Sequence, residues 1–94
     1  MTEAPRPLGR LLLAVEILSP SSARADRYVK RQLYQSEGVP EYWIVDPASR
    51  FIERWRPGDD EPEVLTEVLR WAPVEGREAL VVDLVGYFAA VGGA

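Results

Sequence analysis

The stretch Leu11-Leu-Leu-Ala-Val-Glu-Ile-Leu18 is apolar at odd and even positions alike, with Glu16 as its one charge. Apolar residues on both alternating faces predict a strand covered on both sides, as in a helix-layered sheet. Ser19-Pro-Ser-Ser22 follows, with a serine to cap a helix. From about Ala23 to Glu37 the pattern is helical, and Ala25, Val29 and Leu33 fall on one stripe. That stripe is the face expected on the sheet. Gly38 suits the left-handed residue after a helix, and Pro40 forbids continuation. Glu41-Tyr-Trp-Ile-Val-Asp46, rich in aromatic and β-branched residues, predicts a second strand. Strand, crossover helix, strand is a βαβ unit, with parallel strands.

Outward from this unit the chain alternates turns and short strands. Asp46-Pro-Ala-Ser49 fits a type I turn. Arg50 to Arg56 alternates, with Phe51, Glu53 and Trp55 on one face and Ile52, Arg54 and Arg56 on the other. It is expected to pair antiparallel with the strand before it. Residues 57–60 read as a loop, Glu63 to Leu69 as a further strand, and Leu80 to Val82 as a short apolar piece. Asp83 can cap a last helix, Leu84 to Val91, which Gly92-Gly93 ends. Residues 1–10 carry three of the chain's residues that resist regular structure, Pro5, Pro7 and Gly9, and read as an irregular lead-in. The fold class is α/β, a mixed sheet with a crossover helix. The 94 residues form one domain, or part of one. One long helix and one short one give thin cover for a strand apolar on both faces. The chain is therefore expected to associate with itself or to belong to a larger fold.

Composition narrows the chemistry. The chain has no cysteine and no histidine, which excludes disulfides, thiolate metal sites and Ser-His-Asp catalysis. Leu11 to Leu18 is far shorter than the ~20 apolar residues of a membrane helix, and the proline-bearing start has no signal-peptide core. A cytoplasmic protein with no membrane partner is expected. Residues 1–56 hold nine Lys and Arg against seven Asp and Glu, a net of +2; residues 57–94 hold two against eight, a net of −6. A nucleic-acid partner would have to use the first half, where Arg24, Arg27, Lys30 and Arg31 cluster. The plainer reading of that cluster is a solvated helix face.

Five residues stand out as candidates. Glu16 shares a strand face with Leu12, Ala14 and Leu18, near the C-terminal end where α/β sheets place ligands. A carboxylate there is paired, protonated, metal-bound or simply exposed at the strand end. Asp26, Lys30 and Tyr34 follow one another at four-residue steps. They make either an ordinary helical ion pair or a lysine held over Glu16. Asp46 ends the second strand, as a site residue or as the first residue of a turn before Pro47. Tyr42, Trp43 and Trp55 suit a core better than a base-stacking platform.

Three motifs in order, Val15-Glu-Ile-Leu-Ser-Pro-Ser-Ser22, Asp26-Arg-Tyr-Val-Lys-Arg-Gln-Leu-Tyr34 and Gly38-Val-Pro-Glu-Tyr-Trp-Ile-Val-Asp-Pro47, carry a resemblance. The chain resembles the Uma-type family of restriction-endonuclease-like proteins, abundant in bacteria and part of the PD-(D/E)XK nuclease superfamily. The resemblance covers about residues 10–91. It implies a restriction-endonuclease-like core and a magnesium-dependent phosphodiesterase acting on DNA. Glu16 matches the metal-binding glutamate. The superfamily's lysine two residues later is Leu18 here, and Lys30 matches a migrated substitute on the following helix. An aspartate common four residues before the glutamate is Leu12 here. Full-length members are about twice as long, which implies that the N-terminal half of the fold is missing. One carboxylate leaves most of a magnesium ion's coordination to water, so weak binding is expected. Two functions remain open: a metal-dependent DNA endonuclease, with Glu16 as ligand and Lys30 as charge stabiliser, or a non-catalytic remnant inactivated by truncation that persists by forming a homo-oligomer.

Overall fold

The computed structural model describes residues 11–19 and 24–91, with side chains in the first helix described from Arg27 onward. The lead-in, the serine helix start, the Asp26 side chain and Gly92-Gly93 lie outside the described residues. The elements run β1 (Leu13–Ile17), α1 (Arg24–Ser36), β2 (Glu41–Asp46), β3 (Phe51–Trp55), β4 (Glu63–Leu65), β5 (Val68–Trp71), β6 (Leu80–Asp83) and α2 (Leu84–Val91). The strands form a four-stranded sheet ordered β1-β2-β3-β4 and a two-stranded sheet of β5 and β6. The expected βαβ unit is present: β1 runs parallel to β2, with Glu16 opposite Ile44. β3 returns antiparallel to β2, Tyr42 opposite Trp55, so the sheet is mixed.

Local chemistry accounts for the joints. After α1, the Gly38 N–H donates to the Gln35 carbonyl at 3.1 Å and the Val39 N–H to the Tyr34 carbonyl at 3.0 Å. This nested pair is a Schellman ending, and it needs the left-handed residue that Gly38 supplies at φ 74°. Between β2 and β3 the Asp46 carboxylate accepts the Ser49 N–H at 3.1 Å, and the Asp46 carbonyl accepts the Arg50 N–H at 2.8 Å. The Glu63 to Leu69 stretch is not one strand. It breaks at Thr66-Glu67, and its two parts join different sheets.

Alternation along β2 divides the core in two. Trp43 and Val45 point to one face, where they meet Ile52, Leu69, Leu84 and Phe88. That face carries the β5–β6 hairpin and α2. Tyr42 and Ile44 point to the other face, with Ala14, Trp55, Leu18 and Tyr34, beneath α1.

Two sequence expectations are corrected. β1 is not covered on both faces. Among the described residues it has one strand neighbour, β2, and Val15 and Ile17 are 49% and 60% exposed. Its apolar character exceeds what the described residues cover. Nor does α1 pack through Val29 and Leu33, which are 62% and 45% exposed. The helix is rotated so that Arg27, Lys30, Arg31 and Tyr34 are its half-buried row. The cause is contact with residues distant in sequence. Tyr34 packs at a tilt against Tyr42, ring centroids 5.0 Å apart, Lys30 reaches Glu16, and Arg31 lies over Trp55. These contacts turn the basic row inward, and Val29 and Leu33 forgo burial worth at most about 3 kcal/mol each.

Candidate functional site

The helix-covered face of the sheet brings Glu16 and Lys30 together. Glu16 stands on β1 one residue before its end, on the face of Ala14 and Leu18 as alternation requires. Lys30 lies on the inward row of α1. Its Nζ donates to both Glu16 carboxylate oxygens at 3.1 Å. Both side chains are partly buried, Glu16 the more so. An ammonium so placed can offset charge on an incoming anion. The carboxylate can accept a proton from a water or contribute one oxygen to a cation. As a purely structural pair, at this exposure, it adds no more than about 1 kcal/mol.

The other three candidates separate. Tyr34 belongs to the core beneath α1, its ring tilted 48° against that of Tyr42. Asp46 ends β2, and its carboxylate closes the turn before β3. The Asp26 side chain lies outside the described residues. No group of three carboxylate, histidine or cysteine side chains able to hold a metal ion occurs among the described residues. Magnesium takes near-octahedral oxygen coordination and is bound by proteins through one or two carboxylates. The donor set is Glu16 alone, already engaged by Lys30, so the described residues do not by themselves build a magnesium centre.

Sequence reasoning missed the second half of this face. Arg27 and Arg31, expected on a solvated face, turn inward with Lys30. With Tyr28, Ile44, Glu53 and Trp55 they line an open pocket of about 380 Å³. The Arg31 guanidinium lies 4.3 Å from the Trp55 ring centre and 4.9 Å from that of Tyr28. A partial signal was present: Tyr28 and Arg31 stand three apart on a helix, and Trp55 shares a face with Glu53 on the neighbouring strand. Sequence reasoning also missed Arg54, buried on the opposite face. Its Nη1 donates to the Arg70 carbonyl at 2.7 Å and to Glu41 Oε1 at 3.4 Å. Its Nε lies 3.3 Å from Glu63 Oε1, too misaligned for a hydrogen bond.

Comparison with known proteins bears on this face as a whole. No curated protein matches the chain. Among solved structures it is similar to a "putative nuclease belonging to DUF820" from Anabaena variabilis, at 24% identity and a TM-score of 0.64. The similarity covers 82% of this chain and 43% of the nuclease, so the chain spans less than half of that protein's length. At that identity the likeness establishes a shared fold. The family model described as "Uma2: Putative restriction endonuclease" matches residues 3–85, a span that takes in β1, α1 and the Glu16–Lys30 pair. Matched over most of its length, the chain belongs to the Uma2 family of restriction-endonuclease-like proteins.

Proposed function

We propose that the chain works on DNA as a nuclease, with Glu16 and Lys30 as the polar pair that meets a phosphodiester. The observation that carries this reading is the 3.1 Å contact between a strand-end carboxylate and a helix lysine in a chain of this family. Lys30 lowers the cost of bringing the phosphate's negative charge to the sheet edge. Glu16 is the base or cation ligand. Magnesium remains part of the proposal in weak form only: one carboxylate, with water filling the other positions. The cytoplasm, which holds DNA and magnesium and makes no demand for disulfides, is the proposed setting.

Magnesium-dependent nicking of plasmid DNA by the purified chain tests the reading. Glu16→Gln is expected to abolish it, and Lys30→Ala to lower it strongly. Nicking that persists in Glu16→Gln from a nuclease-free preparation would end the assignment.

The second reading is a non-catalytic relative that persists through self-association. The lone carboxylate of the described site favours it. So does the flank of β1 that the described residues leave uncovered, where Val15 and Ile17 line an apolar pocket of about 190 Å³ with Trp43, Leu84 and Tyr87. An open apolar edge strand is a template for a second chain, and a two-fold pairing would cover both edges at once. The expected result is a dimer or larger species by light scattering at micromolar concentration. A monomer up to millimolar concentration would count against self-association.

A further inference from the structure

The pocket between α1 and β3 is a site that the Glu16–Lys30 pair does not use. Two guanidinium groups face it from the inward side of α1. The Nε atoms of Arg27 and Arg31 are both buried and have no hydrogen-bond partner. Among the described residues neither arginine makes an ion pair. Arg31 lies instead against two aromatic rings, 4.3 Å from the centre of Trp55 and 4.9 Å from that of Tyr28, contacts that use none of its N–H groups. Glu53 also lines the pocket, but its Oε1 accepts the Trp55 Nε1–H at 3.2 Å, which holds it to its own strand. Arg54 differs: its Nε is likewise without a hydrogen bond, but its Nη1 donates to Glu41 and to the Arg70 carbonyl and its charge lies beside two carboxylates. Leaving two arginine N–H groups buried and unpaired is costly unless a ligand completes them. The ligand such a fork selects is an oxyanion, because guanidinium matches phosphate geometry through paired N–H groups.

We infer that Arg27 and Arg31 form a phosphate-binding cradle for a nucleic-acid strand. It is separate from the Glu16–Lys30 pair and holds a neighbouring phosphate while that pair meets another. Lys30 anchors over β1 and Arg31 over β3, two strand spacings apart, about 10 Å across the sheet. Two points at that separation cannot serve one phosphate, so the two positions meet different phosphates of one strand. The choice of a nucleic acid over another oxyanion rests on the nuclease reading; the cradle itself rests on the arginines.

The test uses the Glu16→Gln chain, so that cleavage does not interfere, and a fluorescein-labelled DNA duplex followed by anisotropy. At about 50 mM salt, Arg27→Gln with Arg31→Gln is expected to weaken binding at least tenfold. Removing one arginine–phosphate pairing should flatten the salt dependence by about one unit of log K against log salt, so the double variant should flatten it by about two. Arg70→Gln with Arg77→Gln, exposed arginines far along the chain, should change affinity less than twofold. Should the glutamine pair unfold the chain, Arg27→Lys with Arg31→Lys keeps charge and stem. It should keep the salt slope yet weaken binding, because the planar fork is gone. Equal losses in the two glutamine pairs, unchanged binding in Arg27→Gln/Arg31→Gln, or no DNA binding at all would overturn the cradle. DNA bound through these arginines but never cut by the native chain would end the nuclease reading and leave the cradle standing.

Discussion

Phe88→Ala is expected to destabilise the protein by about 3–5 kcal/mol, the range for removing a fully buried aromatic ring from a core. Phe88 is 1% exposed on α2 and closes the larger cluster, with Trp43, Val45, Ile52, Leu69 and Leu84 around it. That cluster binds the β5–β6 hairpin and α2 to the four-stranded sheet. A small domain has about 5–15 kcal/mol of total stability, so the variant should lose a large part of it. Leu33→Ala is the control. The helical stripe predicts a core position for Leu33, but it is 45% exposed. Its truncation should cost no more than about 0.5 kcal/mol. Urea unfolding of the two variants checks the pair. Equal losses would mean that α1 buries the other face.

Arg54→Ala should cost about 3 kcal/mol or more, the cost of removing one partner from a buried charged network. Arg54 is the buried charge of the β3 face, and its side chain is only 6% exposed. Removing it strips the Arg70 carbonyl of its 2.7 Å donor and leaves Glu41 with the Trp43 Nε1–H at 2.7 Å and a longer contact to Arg56 at 3.7 Å. Glu63 is half exposed and keeps Arg56 at 3.3 Å, so it contributes little to the loss. Arg54→Met with Glu41→Gln should recover part of the stability, because the uncompensated carboxylate goes with the guanidinium. Denaturant melts of the single and double variants measure the coupling. A loss under about 1 kcal/mol in Arg54→Ala would show that water reaches the site.

Arg54 also connects the two sheets. Its backbone belongs to β3, and its guanidinium holds a carbonyl of β5. The two sheets share no strand; this bond, the edge-to-face contact of Trp43 with Trp71 and the Phe88 cluster tie the hairpin to the four-stranded sheet. The helix-covered face is the other side of the same strands, β2 and β3. Substitutions at Phe88 reach the site only through those strands or by unfolding the domain, whereas those at Arg27, Lys30 and Arg31 act on it directly.

Much of this fold was already written in local sequence. The Schellman ending at Gly38 and the turn at Asp46-Pro47 depend on groups a few residues apart, and each appears where its residues stand; α2 starts at Leu84 as expected, but there the Leu84 N–H is held by the distant Glu67 carbonyl. The βαβ unit followed in turn from a short apolar strand, a helical stretch and a second short strand. The meeting of Glu16 and Lys30 followed from the short crossover, which leaves the helix nowhere to go but back over its strand. Periodicity, however, reports which residues share a face; it does not report which face turns inward. On α1 the apolar stripe and the basic row compete, and residues distant in sequence decide between them: Glu16, Tyr42 and Trp55 supply partners that Val29 and Leu33 lack. The same holds for the two cover layers and for Arg54. A strand of Val, Ile and Leu announces apolar surface, but whether a neighbour covers it is fixed only when the other elements have taken their places. Local bonding determined the elements and their joints. Long-range packing decided the inward face of α1, the arginine pocket it creates and how little of β1 the described residues cover.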